Sequence, residues 1–243
     1  MSKLYVIGIG PGNFENMTIR ADEALKNCDV IIGYHVYVDL VKERYSGKEF
    51  LTTPMTKEAD RCRMALDEAL SGKDTAMICS GDSGIYGMAA LIYELRGDEK
   101  EPEIEVIPGL TAACSGSSLL GAPLTHDFAV ISLSDRLTPW DKIEKRLKAA
   151  AAADLSIVLY NPASKGRPDH LKKACDILLE ILPEDRVCGF CRNIGREEEG
   201  AEVTTLAGLK EADIDMFCTV FIGNEMTRVI DGKMITPRGY KYA

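Results

Sequence analysis

Three short stretches hold residues of types and spacings that can do chemistry, and each follows an apolar run. Residues 8–12 read GIGPG after KLYVI, 79–91 read CSGDSGIYGMAAL, and 106–126 read VIPGLTAACSGSSLLGAPLTH. A glycine-rich turn after a first strand is where many α/β proteins cradle a pyrophosphate. That chemistry asks for G-x-G-x-x-G and an acidic residue about 20 positions further on, at the end of the second strand. Gly8 and Gly10 fit, but Asn13 stands in the third glycine position and Pro11 removes a backbone N–H that would face phosphate. Asp29 precedes the apolar run VIIG instead of ending it. The pyrophosphate reading is therefore weak. Two others stay open: glycines that let a bulky ligand lie against the main chain, and a plain tight turn. In the second stretch Gly81, Gly84 and Gly87 flank Asp82 without the Lys-Ser/Thr pair of a phosphate-binding P-loop. The third runs from a strand through Pro-Gly into a helix of small residues. Three such stretches in one chain favour a ligand-lined sheet edge over three ordinary connections, because ligands of open α/β sheets bind beyond the strand C-termini.

One further pattern suggests chemistry. Cys188-Gly-Phe-Cys191 is a CxxC, which as a metal site needs two more ligands at suitable spacing; none is apparent. Residues three apart on a strand point to opposite faces, so the pair reads as buried strand cysteines, and no metal is expected on protein side chains.

The elements that must position these residues alternate. Candidate strands are 3–8, 30–34, 75–80, 103–108, 128–134, 155–161, 186–191, 201–206 and 218–224, with helical patterns between them. Within 57–72 the apolar residues Ala59, Cys62, Met64, Ala65, Ala69 and Leu70 approximate a helical stripe that Gly72 closes. Residues 139–153 open on proline and are rich in helix formers. Asp231-Gly232 inside RVIDGKMIT is a two-residue hairpin turn. The fold class is α/β, helices packed on sheets. The 243 residues, 46% hydrophobic and 28% charged, suit one large or two small domains. No run approaches the roughly 20 apolar residues of a membrane helix, and no signal peptide is evident. Eight scattered cysteines then fit a reducing, cytoplasmic setting. The net charge of −9 argues against whole-surface nucleic-acid binding. Residues 1–125 carry 12 Lys and Arg against 19 Asp and Glu, and residues 126–243 carry 17 against 19, so spare cations concentrate in the second half. The domain boundary is expected near GAPLTHD, 121–127, where that balance shifts.

In this order, GIGPG, GDSGIYG, IPGLTAACS, GAPLTH and VLYNP resemble the tetrapyrrole methylase family, S-adenosylmethionine (SAM) dependent enzymes of cobalamin and sirohaem synthesis. The resemblance covers nearly the whole chain. HDFAVISLSDRLTPW, YNPASKGRP, RNIGREEE, FIGNEMTR and TPRGY are similar to the branch that works on precorrin-3-stage rings. The resemblance implies two α/β domains, 1–122 and 123–243, with a cleft between them. The first would hold the macrocycle and part of the SAM site, and the second would complete that site. It also implies a homodimer, S-adenosylhomocysteine as product, and methylation of C-17 of precorrin-3B or cobalt-factor III with contraction of the ring to (cobalt-)precorrin-4. The GIGPG turn, with Gly8, Gly10 and Gly12, would line the macrocycle cleft.

By the same resemblance, SAM contacts fall on Pro11, on Ser80, Gly81, Asp82 and Ile85, on Thr111 and Ala112, and in the second domain on Asn161 and the loop near Gly195. Asp82 would offset the sulfonium charge or position a polar group. A polycarboxylate acceptor needs local cations on an acidic enzyme, and arginine forks suit carboxylates. Arg136, Lys165, Arg167, Arg192, Arg196 and Arg238 are candidates as a set, each one alone being as well explained as a solvated charge. His126 either orients the acceptor or is a hydrogen-bonded structural histidine. Asp135 is a proton acceptor, a contact for pyrrole N–H groups, or a helix cap, although Thr138 is better placed to cap. Three other functions compete. An NAD-dependent oxidoreductase is opposed by the broken fingerprint. A methylase of the same fold acting on rRNA or on a modified histidine of an elongation factor is opposed by LSDRLTPW and TPRGY, and for RNA by the charge. A silent tetrapyrrole-binding protein is opposed by the intact SAM motifs.

Overall fold

The computed structural model describes residues 2–241. The chain divides into two compact units, Met1–Ala112 and Ala113–Ala243. In the first, β1 (Lys3–Gly8), α1 (Ile19–Asn27), β2 (Val30–Tyr34), α2 (His35–Asp39), β3 (Glu49–Thr53), α3 (Glu58–Leu70), β4 (Thr75–Cys79), α4 (Ala89–Arg96) and β5 (Glu103–Ile107) follow one another. Its five strands form one parallel sheet in the order β3-β2-β4-β1-β5.

Strand alternation sorts the side chains of this sheet into two buried layers. Ile7, Ile9, Ile31, Ile78 and Ile107 join Ala21 and Leu25 of α1 on one face. Leu4, Val6, Val30, Ile32 and Met77 join Leu66 of α3 and Ile92 of α4 on the other. Each such aliphatic side chain contributes about 1.5–3 kcal/mol by leaving water. The neighbours β1 and β4 thus send their following helices to opposite faces. That is a topological switch point, and it leaves a crevice beyond the C-termini of those two strands.

A polar cluster anchors α1 to the segment after α2. Thr18 caps α1 by accepting from Ala21 N at 3.1 Å. Asp22 Oδ2 lies 2.5 Å from Lys26 Nζ, and Asp22 Oδ1 accepts from Tyr45 at 2.7 Å and Arg44 Nε at 3.2 Å. Burial opposes ionisation of Asp22, but these hydrogen bonds outweigh it and hold the carboxyl below the usual carboxylate range. A carboxyl depressed by folding adds stability above its unfolded value of 3.8, and that stability is lost as pH falls through the folded value. Asp22→Asn is therefore expected to lower the unfolding free energy by about 1.5–3 kcal/mol at pH 7 and by less at pH 3, read from urea midpoints. An equal loss at both pH values would contradict this account.

The second unit comprises α5 (Ala112–Leu120), whose first residue ends the first unit, then β6 (Gly121–Ala122), β7 (Phe128–Ser132), α6 (Trp140–Ala152), β8 (Ser156–Tyr160), α7 (His170–Leu179), β9 (Val187–Arg192), β10 (Gly200–Thr205), α8 (Leu206–Lys210), β11 (Cys218–Ile222), β12 (Arg228–Ile230) and β13 (Lys233–Ile235). Its main sheet runs β10-β9-β11-β8-β7. β7 and β8 are parallel, and β11 is antiparallel to both β8 and β9. The C-termini of β7, β8 and β9 therefore share one edge. Ile143, Leu147, Leu171, Ala174, Leu206 and Leu209 cover one face of this sheet.

The division at 112/113 falls ten residues before the expected 122/123. The reason is α5, which packs on the second sheet. A Cβ on Gly116 would meet Phe221 Cζ at 2.8 Å and Ile194 Cδ1 at 3.0 Å, and Cys191 Sγ donates to Gly116 O at 3.2 Å. Cys188 joins the opposite, helix-covered face, so the two CxxC cysteines are fully buried strand residues pointing apart. Burial pushes the Cys191 thiol up to about 12 and the Cys188 thiol higher still. Asp231 and Gly232 take φ values of +49 and +70 and turn β12 antiparallel into β13. β3 and β6 were not among the candidate strands: EFLTT is half polar, and β6 has two residues. α6 begins at Trp140 with Pro139 at its N-cap and no side-chain cap bond, so neither Asp135 nor Thr138 caps it.

Candidate functional site

The switch point of the first unit is closed by backbone. Gly10 and Gly81 form an antiparallel bridge, with Gly10 N donating to Gly81 O at 3.1 Å and Gly81 N to Gly10 O at 2.7 Å. Gly10 and Gly81 take φ values of +76 and +70, where a side chain is strained. The loops after β1, β4 and β5 meet so closely that a Cβ on Gly8 would lie 2.6 Å from Gly109 N and 2.6 Å from Gly81 O. The bulky object pressed against Gly8 is another segment of main chain. Gly109, in the Pro-Gly turn, completes the junction: a Cβ there would sit 2.1 Å from Gly81 O.

Asp82 ties the loops together. Its Oδ1 accepts from Gly84 N at 2.8 Å and Ile85 N at 3.0 Å, and its Oδ2 accepts from Gly109 N at 2.9 Å. Three N–H donors on one carboxylate make it an internal staple between the β4 and β5 loops. Ser83, fully buried, adds a bond to Ile107 O at 3.0 Å. Around this junction Pro11 and Thr111 are buried, Gly12, Ser80 and Ala112 are half-buried, and Ile85 is 43% exposed. A Cβ on Gly81 would approach Thr111 Cα at 3.7 Å and Ala112 N at 3.9 Å, ordinary contact distances. Unlike Gly8, Gly81 leaves room beside Thr111 and Ala112. A surface of small residues and main-chain groups fits a flat heteroaromatic ligand with hydrogen-bonding edges.

In the second unit the edge shared by β7, β8 and β9 carries a hydrogen-bonded chain. Asn161, at φ +54, donates to Ser132 Oγ at 2.9 Å. Ser134 N also donates to Ser132 Oγ, at 3.2 Å, and Arg167 Nη1 donates to Ser134 Oγ at 2.6 Å. Asp135 lies 3.7 Å from that guanidinium and 3.5 Å from His170 Nε2. His170 is buried beneath Trp140, ring centroids 4.8 Å apart, and its Nδ1 is 3.0 Å from Leu133 O. A carbonyl only accepts, so Nδ1 carries a proton and Nε2 faces the carboxylate. The loop after β9 holds Gly195 at φ +69, its N–H donating to Glu199 Oε2 at 2.5 Å.

The other sequence candidates separate. His126 lies before β7 and Asp135 after it, so a five-residue strand of about 16 Å stands between them and they cannot serve one atom together. His126 Nε2 is buried without a hydrogen-bond partner among the described residues. Arg238 sits at that same end, donating to Thr125 O at 3.4 Å. Arg192 is committed internally to Asp215 Oδ2 at 2.6 Å and Asp213 O at 2.5 Å, and Arg196 lies over Phe217 at 5.9 Å. Lys165 is exposed at the tip of the Ser164–Arg167 turn, and Arg136 is exposed beside the fully presented Leu137. Sequence reasoning missed Gly109, Ser83, Ser132, Ser134 and His170. The Pro-Gly turn signalled Gly109, whereas nothing local marks a histidine at a helix start as the neighbour of an aspartate 35 residues earlier.

The family model described as Tetrapyrrole (Corrin/Porphyrin) Methylases matches residues 3–210. The chain is 47% identical over 238 residues to the Salmonella typhimurium protein named "Probable cobalt-factor III C(17)-methyltransferase", covering 98% of this chain and 99% of that one. It is 37% identical to the "Precorrin-3B C(17)-methyltransferase" of a Sinorhizobium species, covering 98% and 96%. The crystal structure of the methyltransferase CobJ superposes with a TM-score of 0.91 at 34% identity, covering 98% of this chain and all of that one.

Proposed function

Because the chain belongs to the tetrapyrrole (corrin/porphyrin) methylase family, and its likeness over nearly its whole length to C(17)-methyltransferases makes it a methyltransferase of cobalamin biosynthesis, we propose that it methylates C-17 of cobalt-factor III with contraction of the ring. The carrying observation is the gradient of likeness: 47% identity to a protein named for the cobalt-containing substrate, against 37% to one named for the metal-free precorrin. The cobalt is part of the substrate in this reading. No helix among the described residues is long and apolar enough to cross a membrane.

S-adenosylmethionine supplies an electrophilic methyl group on a sulfonium. Gly81, Thr111 and Ala112 would hold it against main chain, with Pro11, Ser80 and Ile85 at the rim. Asp82 fixes the β4 and β5 loops that form the cradle. The staple supports this division of labour, since both carboxylate oxygens already accept from backbone. Holding the acceptor carbon in line is a proximity effect that can supply roughly 7–11 kcal/mol. Contraction needs a proton moved at the ring. Asp135 is the better candidate than His126 because it shares the sheet edge of Asn161, with the Arg167 guanidinium 3.7 Å away to orient it.

The test is incubation with carbon-labelled SAM and a panel of cobalt-factor III and precorrin-3B, followed by mass and carbon NMR of the product. A labelled methyl at C-17 of a contracted, cobalt-containing ring is expected. A methyl at another carbon, or turnover of the metal-free ring alone, would overturn the proposal.

A further inference from the structure

We propose that Arg61 is a carboxylate subsite for the tetrapyrrole acceptor, built into the edge of the first sheet where β3, β2 and β4 end. Arg61 lies in the first turn of α3 and is 5% exposed. Burying a guanidinium is expensive unless an anion and hydrogen bonds compensate it. Here compensation is incomplete. Nη1 donates to Thr53 Oγ1 at 2.7 Å and makes a long contact of 3.5 Å with Thr53 O, and the Tyr34 ring lies 6.0 Å from Cζ. Nε and Nη2 donate to nothing among the described residues, and no carboxylate there pairs with Arg61. The acids of the same turn do not supply the charge. Asp60 pairs with Lys57 at 3.1 Å and with Arg63 at 3.6 Å, and Glu58 forms no ion pair with Arg61.

A second observation points the same way. The N-cap of α3, Lys57, makes no side-chain cap bond, so no capping side chain serves the amide groups of that turn. Uncapped first-turn amides and a buried guanidinium together form an anion site, and the arginine fork matches a carboxylate in particular. Thr53 and Tyr34 are the last residues of β3 and β2. Arg61 also acts on Cys79, the last residue of β4. Burial raises that thiol to about 11, and among the smaller influences Arg61 lowers it while Asp82 raises it. Arg61 therefore sits at the β3–β2 end of the sheet edge, the opposite end from β5, after which Thr111 and Ala112 come. A ligand carboxylate would supply the counter-ion that Arg61 lacks among the described residues.

This assignment rests on the tetrapyrrole methylase reading, whose acceptors carry peripheral carboxylates, and its test separates the two. Protein labelled with ¹⁵N-arginine is titrated with propionate, with cobalt-factor III and with SAM, each alone. The Arg61 Nε–H resonance is identified by its loss in Arg61→Lys, or in Arg61→Gln if the lysine variant does not fold. Propionate and cobalt-factor III are expected to shift it saturably and SAM is not. Arg61→Gln is expected to raise KM for the acceptor about tenfold or more, with the SAM Kd unchanged within about twofold. A resonance moved by SAM alone would assign the arginine to the methyl donor and overturn the proposal. One moved by neither propionate nor acceptor would overturn it too, and observed methyl transfer would then leave the functional reading standing. A propionate shift without any methyl transfer would support the carboxylate subsite while the functional reading fell.

Discussion

Replacing Asp82 with alanine is expected to weaken binding of SAM and of S-adenosylhomocysteine equally, by about tenfold to a hundredfold. The carboxylate receives three backbone N–H groups, two in its own turn and one from Gly109. A hydrogen bond to a charged group is worth about 1.5–3 kcal/mol, and the β4–β5 tie rests on the one to Gly109. Its loss would free the loop that carries Thr111. Calorimetry with the two ligands distinguishes this role from charge compensation. Only SAM carries the sulfonium, so a carboxylate facing that charge would be missed by SAM and not by S-adenosylhomocysteine. Unequal losses would show that Asp82 acts on the ligand's charge and would remove the staple assignment.

Gly109→Ala is expected to cost more stability than any other single methyl added to the first unit's ligand loops. The new Cβ would lie 2.1 Å from Gly81 O and 2.5 Å from Gly8 O. Both neighbours are main chain, held by the ends of β4 and β1, and neither can rotate away as a side chain would. Overpacking typically costs about 1–3 kcal/mol, and a clash against two fixed carbonyls belongs at the upper end. For a chain of this size that is a fall in Tm of roughly 6–12 °C, with loss of SAM affinity as the three loops part. Gly47 is the control: nothing lies within 4 Å of its added Cβ, so Gly47→Ala should stay within about 0.5 kcal/mol of the parent. A Gly109→Ala protein with parental Tm and affinity would mean that the loops do not pack as described.

Much of this protein was determined by its sequence alone. The nine apolar runs are strands within two residues of their expected ends, because a run such as VIIGY between two parallel neighbours is buried on both faces and has no other stable state. The hairpin at Asp231-Gly232 and the helices over 58–70 and 140–152 follow from turn chemistry and period in the same local way. GIGPG, GDSGIYG and IPGLTAACS were legible as loops at one sheet edge, since glycine and proline fix backbone geometry where they stand.

What only the tertiary structure decided is which partner each of those residues meets. The resemblance placed Gly8 and Asp82 beside a ligand, and the crossing of three loops sets their partners within the chain: Gly109 packs on Gly8, and three amides donate to Asp82. Sequence reasoning grouped His126 with Asp135, and strand direction puts them at opposite ends of β7. It counted Arg192 among free cations and passed over Arg61, although Arg192 is held by Asp215 and Asp213 O while Arg61 lacks a counter-ion among the described residues. The physical reason is common to all three. Propensity and period act over a few residues along the chain, but the partner of a charge or a Cβ is set by strand order and loop crossing, which join residues tens of positions apart.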